Sequence, residues 1–106
     1  DIGEQVPSDV ALCVYRIAQE AINNAVKYAS AEFIEIILEL SQNKLKLTVR
    51  DDGDGFIITQ HAEQSGLGLS SMYERAQLVG GSWKIQSQPG EGTTVSAIVP
   101  LGGVEI

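Results

Sequence analysis

The sequence is poor in everything that holds a protein together other than a packed core. It has one cysteine, Cys13, so it can close no internal disulfide and build no cysteine metal cluster, which fits the cytosol. Cys13 sits among apolar residues and reads as a small buried side chain. No apolar run is long enough to span a membrane, and no signal peptide is evident. There is no Pro/Ser-rich linker, no internal repeat and no low-complexity tract. Basic residues are scarce: 7 Lys and Arg stand against 14 Asp and Glu, for a formal net charge of −7. Such a field disfavours DNA, RNA and anionic membrane surfaces as partners. It does not exclude a small polyanion, because backbone N–H groups, one lysine and a metal ion can outweigh a global field within a local pocket.

What is present suits one domain. The chain has 106 residues, 43% hydrophobic and 20% charged, enough for a single core across residues 1–106. Asp1–Pro7 reads as the cut end of a longer chain. Ser8 is expected to cap a helix running from about Asp9 to Tyr28, with Val10, Val14, Ile17, Ala18, Ala21, Ile22 and Ala25 at helical spacing. Phe33–Leu40 alternates as a strand, with Ile34, Ile36, Leu38 and Leu40 on one face and Glu35 and Glu39 on the other. Ser41–Asn43 should turn the chain into a second strand, Lys44–Asp51. Its inward residues are Leu45, Leu47 and Val49, and by the same parity Asp51. An acid on a core face needs a partner or a ligand. After a loop without clear period, a second helix begins near Leu67 or Gly68 and ends at Gly80–Gly81. Its apolar stripe is Leu69, Met72, Ala76 and Val79. Strands Trp83–Gln88 and Thr93–Pro100 follow, joined by Pro89–Gly92. The order helix, hairpin, loop, helix, hairpin implies a two-layer α/β sandwich with helices over one face of a mostly antiparallel sheet.

Four short motifs can carry chemistry. Glu20, Asn24 and Lys27 stand at i, i+4 and i+7 and share a helical stripe. The amide oxygen suits a magnesium shell and the lysine suits phosphate; the plain alternative is a solvated face with a Glu–Lys pair. In Asp51–Gly55 (DDGDG), two glycines permit a tight turn and a close ligand, and Asp51 can accept from an exocyclic amine. The alternatives are an ordinary Asp–Gly turn or a calcium loop, and the latter lacks the later glutamate and flanking helices of an EF-hand. Gly66–Leu69 (GLGL) opens a helix whose N–H groups and dipole favour phosphate. It is neither a Walker A loop nor a dinucleotide fingerprint. Gly90–Thr93 (GEGT) joins two strands, as a plain hairpin turn also would.

Order and spacing tie these motifs together. The combination resembles the GHKL superfamily, which includes gyrase B-type topoisomerases, heat-shock chaperone ATPases, MutL and histidine kinases. Glu20-x-x-x-Asn24 is similar to its N box, Asp51-x-Gly53-x-Gly55 to its first glycine box, Gly66-x-Gly68-Leu69 to its second, and Gly92-Thr93 to its final element. The likeness runs from about Pro7 to Pro100. Only the short segment Phe56–Ser65 separates the glycine boxes, and Met72, Glu74, Arg75 and Ala76 follow the second, as in NarX- and DesK-type sensor kinases. Tyr28 departs from the histidine common in that group.

The resemblance implies a Bergerat ATP-binding fold with a mixed, mostly antiparallel sheet, and ATP with Mg2+ as ligands. It assigns Asp51, helped by a water and Thr93, to the adenine amino group, and Gly53 and Gly55 to the adenine end. Asn24 would ligate Mg2+, and Lys27 would contact phosphate. Tyr28, Leu67 and Leu69 fall within the same ATP-binding set, while Gly66 and Gly68 would hinge a lid. Glu20 matches the position that activates water in hydrolysing relatives; in a kinase it would orient the phosphoacceptor or accept its proton. The γ-phosphoryl group would pass to a histidine on upstream dimerisation helices, with a response regulator as the later partner. His61, the single histidine, reads as a solvated lid residue, and Tyr73 and Trp83 as packing residues. A cytoplasmic, monomeric fragment without direct membrane contact is expected. An anti-sigma-factor-type serine kinase and a catalytically silent nucleotide sensor are the alternatives.

Overall fold

The first helix starts directly after Pro7. In the computed structural model, which describes residues 6–27, 30–55 and 68–101, α1 spans Ser8–Lys27. The Pro7 carbonyl accepts from the Ala11 N–H at 2.9 Å. Pro7 thus takes the capping position expected of Ser8, which lies in the first turn beside Asp9. Val10, Cys13, Val14, Ile17, Ala21 and Ala25 are buried along one face, while Ala18 and Ile22 are half-buried against the core.

Two strands follow, β1 (Ile34–Ser41) and β2 (Lys44–Asp51). The turn between them is Gln42–Asn43, with φ of 54° and 63°. Two consecutive left-handed residues match the right-handed twist of paired strands. Helix α2 (Leu69–Leu78) buries Leu69, Met72 and Ala76. It ends in a Schellman arrangement: Gly80 N–H donates to Gln77 O at 3.0 Å and Gly81 N–H to Ala76 O at 2.8 Å. Strands β3 (Ser82–Ser87) and β4 (Thr93–Pro100) complete the described structure.

The sheet order is β1-β2-β4-β3, and each neighbouring pair is antiparallel. Helix α1 packs over β2 and β4, and α2 over β3 and β4. The core lies between these layers. Its fully buried larger side chains are Ile17, Leu47, Met72 and Val99, each contributing about 1.5–3 kcal/mol through burial.

The shared face expected for β1 forms, but it is only partly covered. Ile36 and Leu38 do share a face with Val49 and Leu47, their cross-strand partners. Yet they remain 51% and 45% exposed. β1 is an edge strand, and the helices lie over the strands next to it. Parity places a side chain on a face, but only the helix layer buries it.

Candidate functional site

The inner face of the sheet consists of three apolar rows and one polar row. The pairing register aligns Leu40 with Leu45 and Val99; Leu38 with Leu47, Ala97 and Trp83; and Ile36 with Val49, Val95 and Ile85. The last row is Ile34, Asp51, Thr93 and Ser87. Asp51 thus ends its strand on the helix-facing side, as its parity predicts, directly opposite Thr93. Its Oδ1 accepts from the Gly53 N–H at 2.8 Å, which ties the carboxylate to the following turn. Its Oδ2 has no hydrogen-bond partner among the described residues. Thr93 is buried, and its Oγ1 lies 2.7 Å from Ser87 Oγ. Ser87 Oγ in turn lies 3.2 Å from the Gly92 carbonyl oxygen, to which it donates.

The two glycine-bearing turns around this row interlock through their backbones. Gly55 and Gly92 have φ of 68° and 78°. A Cβ on Gly55 would overlap the Gln88 carbonyl, and one on Gly92 would overlap the Asp51 carbonyl oxygen. The Gly90 N–H donates to Asp54 O. These glycines are therefore needed where one turn meets the other, in addition to any room they leave for a ligand. Gly53 is buried in the same junction. Asp52, which composition did not single out, accepts from the Glu32 and Phe33 N–H groups at 2.9 and 3.0 Å. It pins the start of β1 to the same turn.

The α1 stripe forms a second wall. Glu20 and Asn24 are half-buried and Lys27 is exposed. Arg50 with Glu35, on the outer face, is the one ion pair among the described residues, so Glu20 and Lys27 do not neutralise each other. The Glu20 side chain reaches the start of α2, where a Cβ on Gly68 would stand 2.6 Å from Glu20 Cδ. Gly68 has a φ of 69° and caps α2 with no side-chain hydrogen bond, and no acid occupies the first turn. Among the described residues no side chain caps the N–H groups of that turn, which carry the positive end of the helix dipole. Leu69 sends its side chain into the core, at 7% exposure. Tyr28, Gly66, Leu67 and His61 lie outside the described residues.

An anion and a hydrogen-bond-donating base both suit this cleft. Among the described residues no three His, Cys, Asp or Glu converge as a metal cage. A magnesium ion would therefore need most of its oxygen shell from phosphates and water, as is usual for Mg2+. The Asn24 amide, one turn along α1 from Glu20, is an oxygen donor that could supply a single protein ligand to such a shell.

The polar row also shows what sequence reading missed. Ser87 ends an inward series, Trp83, Ile85, Ser87, just as Asp51 ends Leu45, Leu47, Val49. The same parity argument applied to β3 would have found it. Asp52 acts on residues about twenty positions away, and no local pattern announces it.

Comparison with known proteins identifies the family. The family model described as histidine kinase-, DNA gyrase B-, and HSP90-like ATPase matches residues 9–103. The oxygen sensor histidine kinase NreB of Staphylococcus carnosus is 40% identical over 99 residues, covering 93% of this chain and 28% of that protein. The histidine-protein kinase/phosphatase DegS of Brevibacillus brevis is 33% identical, covering 93% of this chain and 25% of its own length. The chain thus spans about a quarter of these relatives. Among solved structures, the ATP binding domain of PrrB from Mycobacterium tuberculosis superposes with a TM-score of 0.69 at 26% identity, covering 92% of this chain and 70% of that one. A blue-light activated histidine kinase domain of Erythrobacter litoralis gives 0.76 at 24% identity, over 91% of this chain and 46% of that one, a likeness of fold. With the family matched across almost its whole length, the chain belongs to the histidine kinase-, DNA gyrase B- and HSP90-like ATPases, as a domain of the sensor histidine kinase type.

Proposed function

We propose that this domain binds ATP with magnesium and donates the γ-phosphoryl group to a histidine imidazole on a helical segment elsewhere in its parent kinase. The observation that carries the reading is the placement of Asp51. It is an acceptor on the core face of a strand end, opposite Thr93, with one carboxylate oxygen held by Gly53 and the other without a described partner. Such a group suits the exocyclic amine of adenine. Gly53 and Gly55 shape that end. Asn24 would hold the magnesium ion, Lys27 would meet a phosphate, and Gly68 would offer the α2 N-terminus to phosphate oxygens. Gly66, Leu67 and Tyr28 belong to the same proposal through the family motifs. Bound magnesium would neutralise phosphate charge.

The residues of this chain then position and stabilise, which is most of what phosphoryl transfer requires. The bond from the γ-phosphorus to the bridging oxygen breaks, a phosphorus–nitrogen bond forms on the acceptor, and ADP leaves. Glu20, whose side chain lies against Gly68, would orient the imidazole or take its proton. The acceptor comes from dimerisation and phosphotransfer helices of the parent, and a response regulator would receive the group next. The domain works in the cytoplasm and is a monomer by itself.

The direct test supplies labelled ATP, magnesium and a helical segment of the parent kinase bearing its histidine. Acid-labile label should appear on the segment's histidine and none on this chain alone. Acid-stable label on a serine would overturn the reading in favour of a serine kinase.

A further inference from the structure

Ser87 lies two strands from Asp51, with Thr93 between them, and the proposed function gives it no role. Two of its contacts set the direction of a proton. Ser87 Oγ lies 3.2 Å from the Gly92 carbonyl oxygen and 2.7 Å from Thr93 Oγ1. A carbonyl oxygen can only accept, so the Ser87 proton points to Gly92. The shorter contact also needs a proton, and Thr93 must supply it. The chain of donation is therefore Thr93 to Ser87 to the Gly92 carbonyl. Gly92 is well fixed as its terminus: its φ is 78°, and a Cβ there would overlap the Asp51 carbonyl oxygen. With its proton committed to Ser87, Thr93 Oγ1 is left with lone pairs alone.

We infer that Ser87 is a positioning residue for purine specificity, holding the Thr93 hydroxyl as an acceptor beside the Asp51 carboxylate. The inference rests on the proposed nucleotide site and adds to it. Two neighbouring acceptors favour a base that presents an amine, directly or through water, as adenine does. They disfavour a 6-oxo base, which presents an acceptor and leaves buried lone pairs facing one another. Without the Ser87 hydroxyl, the Thr93 hydroxyl can turn and donate, and the site loses part of its preference.

The experiment measures binding of ATP and ITP, with magnesium, to wild-type protein, Ser87→Ala and Ser87→Thr. The ratio of the two affinities is the readout, because a general loss of fold lowers both together. Wild type should prefer ATP. Ser87→Ala should narrow the preference by about fivefold, the consequence of one neutral hydrogen bond of ordinary strength. Ser87→Thr, which keeps a hydroxyl and suits a strand, should restore it. An unchanged ratio in a folded Ser87→Ala protein would overturn the inference while leaving the nucleotide site intact. Failure of wild type to bind ATP would instead overturn the site itself, and the inference with it.

Discussion

Replacing Gly92 by alanine tests how the two glycine turns meet. Gly90 and Gly92 have nearly equal left-handed φ values, 82° and 78°. A Cβ on Gly90 meets nothing within 4 Å, whereas one on Gly92 overlaps the Asp51 carbonyl oxygen and lies 3.2 Å from its carbon and 3.3 Å from Asp52 Cα. The two substitutions thus share one penalty and differ in the other. The shared term is a left-handed L-residue, about 1–2 kcal/mol. The neighbours that Gly92→Ala overlaps are backbone, so no rotamer change relieves the clash. Relief needs roughly 1 Å of separation between atoms that now touch, which opens the β2–β4 ladder at Asp51 and Thr93. Losing one backbone hydrogen bond there adds about 0.5–1.5 kcal/mol, and strain in the turn a similar amount. Gly90→Ala should therefore destabilise by about 1–2 kcal/mol, and Gly92→Ala by about 2–5 kcal/mol, a large share of a small domain's stability. Urea unfolding followed by Trp83, the single tryptophan, measures both. Because Asp51 moves, Gly92→Ala should also weaken nucleotide binding in the fraction that folds, and Gly90→Ala should not. Equal losses of stability would refute the claim that close approach, rather than φ alone, demands glycine at Gly92.

Three further outcomes are expected. Asp51→Asn should weaken ATP binding by about 1–3 kcal/mol, the scale of a charge-assisted hydrogen bond, with unfolding by urea little changed; unaltered affinity would show that the adenine contact is misplaced. Cys13 should resist alkylation in the native state: burial pushes its thiol up from 9.0, against a lowering by Arg75 and with a further push from Asp9, and its Sγ donates to Arg75 O. Labelling should accelerate only as urea unfolds the domain, and rapid labelling in buffer would contradict the packing of α1 on α2. The Asp52 carboxyl is held below its ordinary 3.8, first by the Phe33 N–H, opposed by desolvation, then by the N–H groups of Glu32 and Asp52 itself. A folded value below the unfolded one gives stability that is full above 3.8 and is lost as pH falls through the lower folded value. The urea midpoint advantage of wild type over Asp52→Asn should accordingly be flat near neutrality and shrink in that acid window; an advantage that persists undiminished into strong acid would contradict the assignment.

Much of this architecture was legible because it depends on local periodicity. The apolar spacing in α1, the alternation in β2 and β4, and the glycines after α2 each map to the element observed, with ends shifted by a residue or so. Asp51's inward position followed from parity alone, since β2 is covered by α1. The same parity put Ile36 and Leu38 on the shared face and was silent on their exposure, because coverage is a property of the helix layer and not of the strand. Pro7 took the cap expected of Ser8 through its carbonyl, which any residue supplies. The candidate site was legible where one element carries it, as in the α1 stripe of Glu20, Asn24 and Lys27. It was opaque where backbone meets backbone across the chain. Gly55 against Gln88, Gly92 against Asp51, and Asp52 reaching Glu32 and Phe33 all depend on which strands become neighbours. The order β1-β2-β4-β3 sets that, and no single segment encodes it.

The measurement that tests the central claim most directly is a calorimetric titration of this domain with ATP, with and without magnesium. Saturable binding that strengthens when magnesium is present, and that falls in Asp51→Asn, is the predicted result. A folded domain that takes up no heat of binding at millimolar ATP would contradict the account.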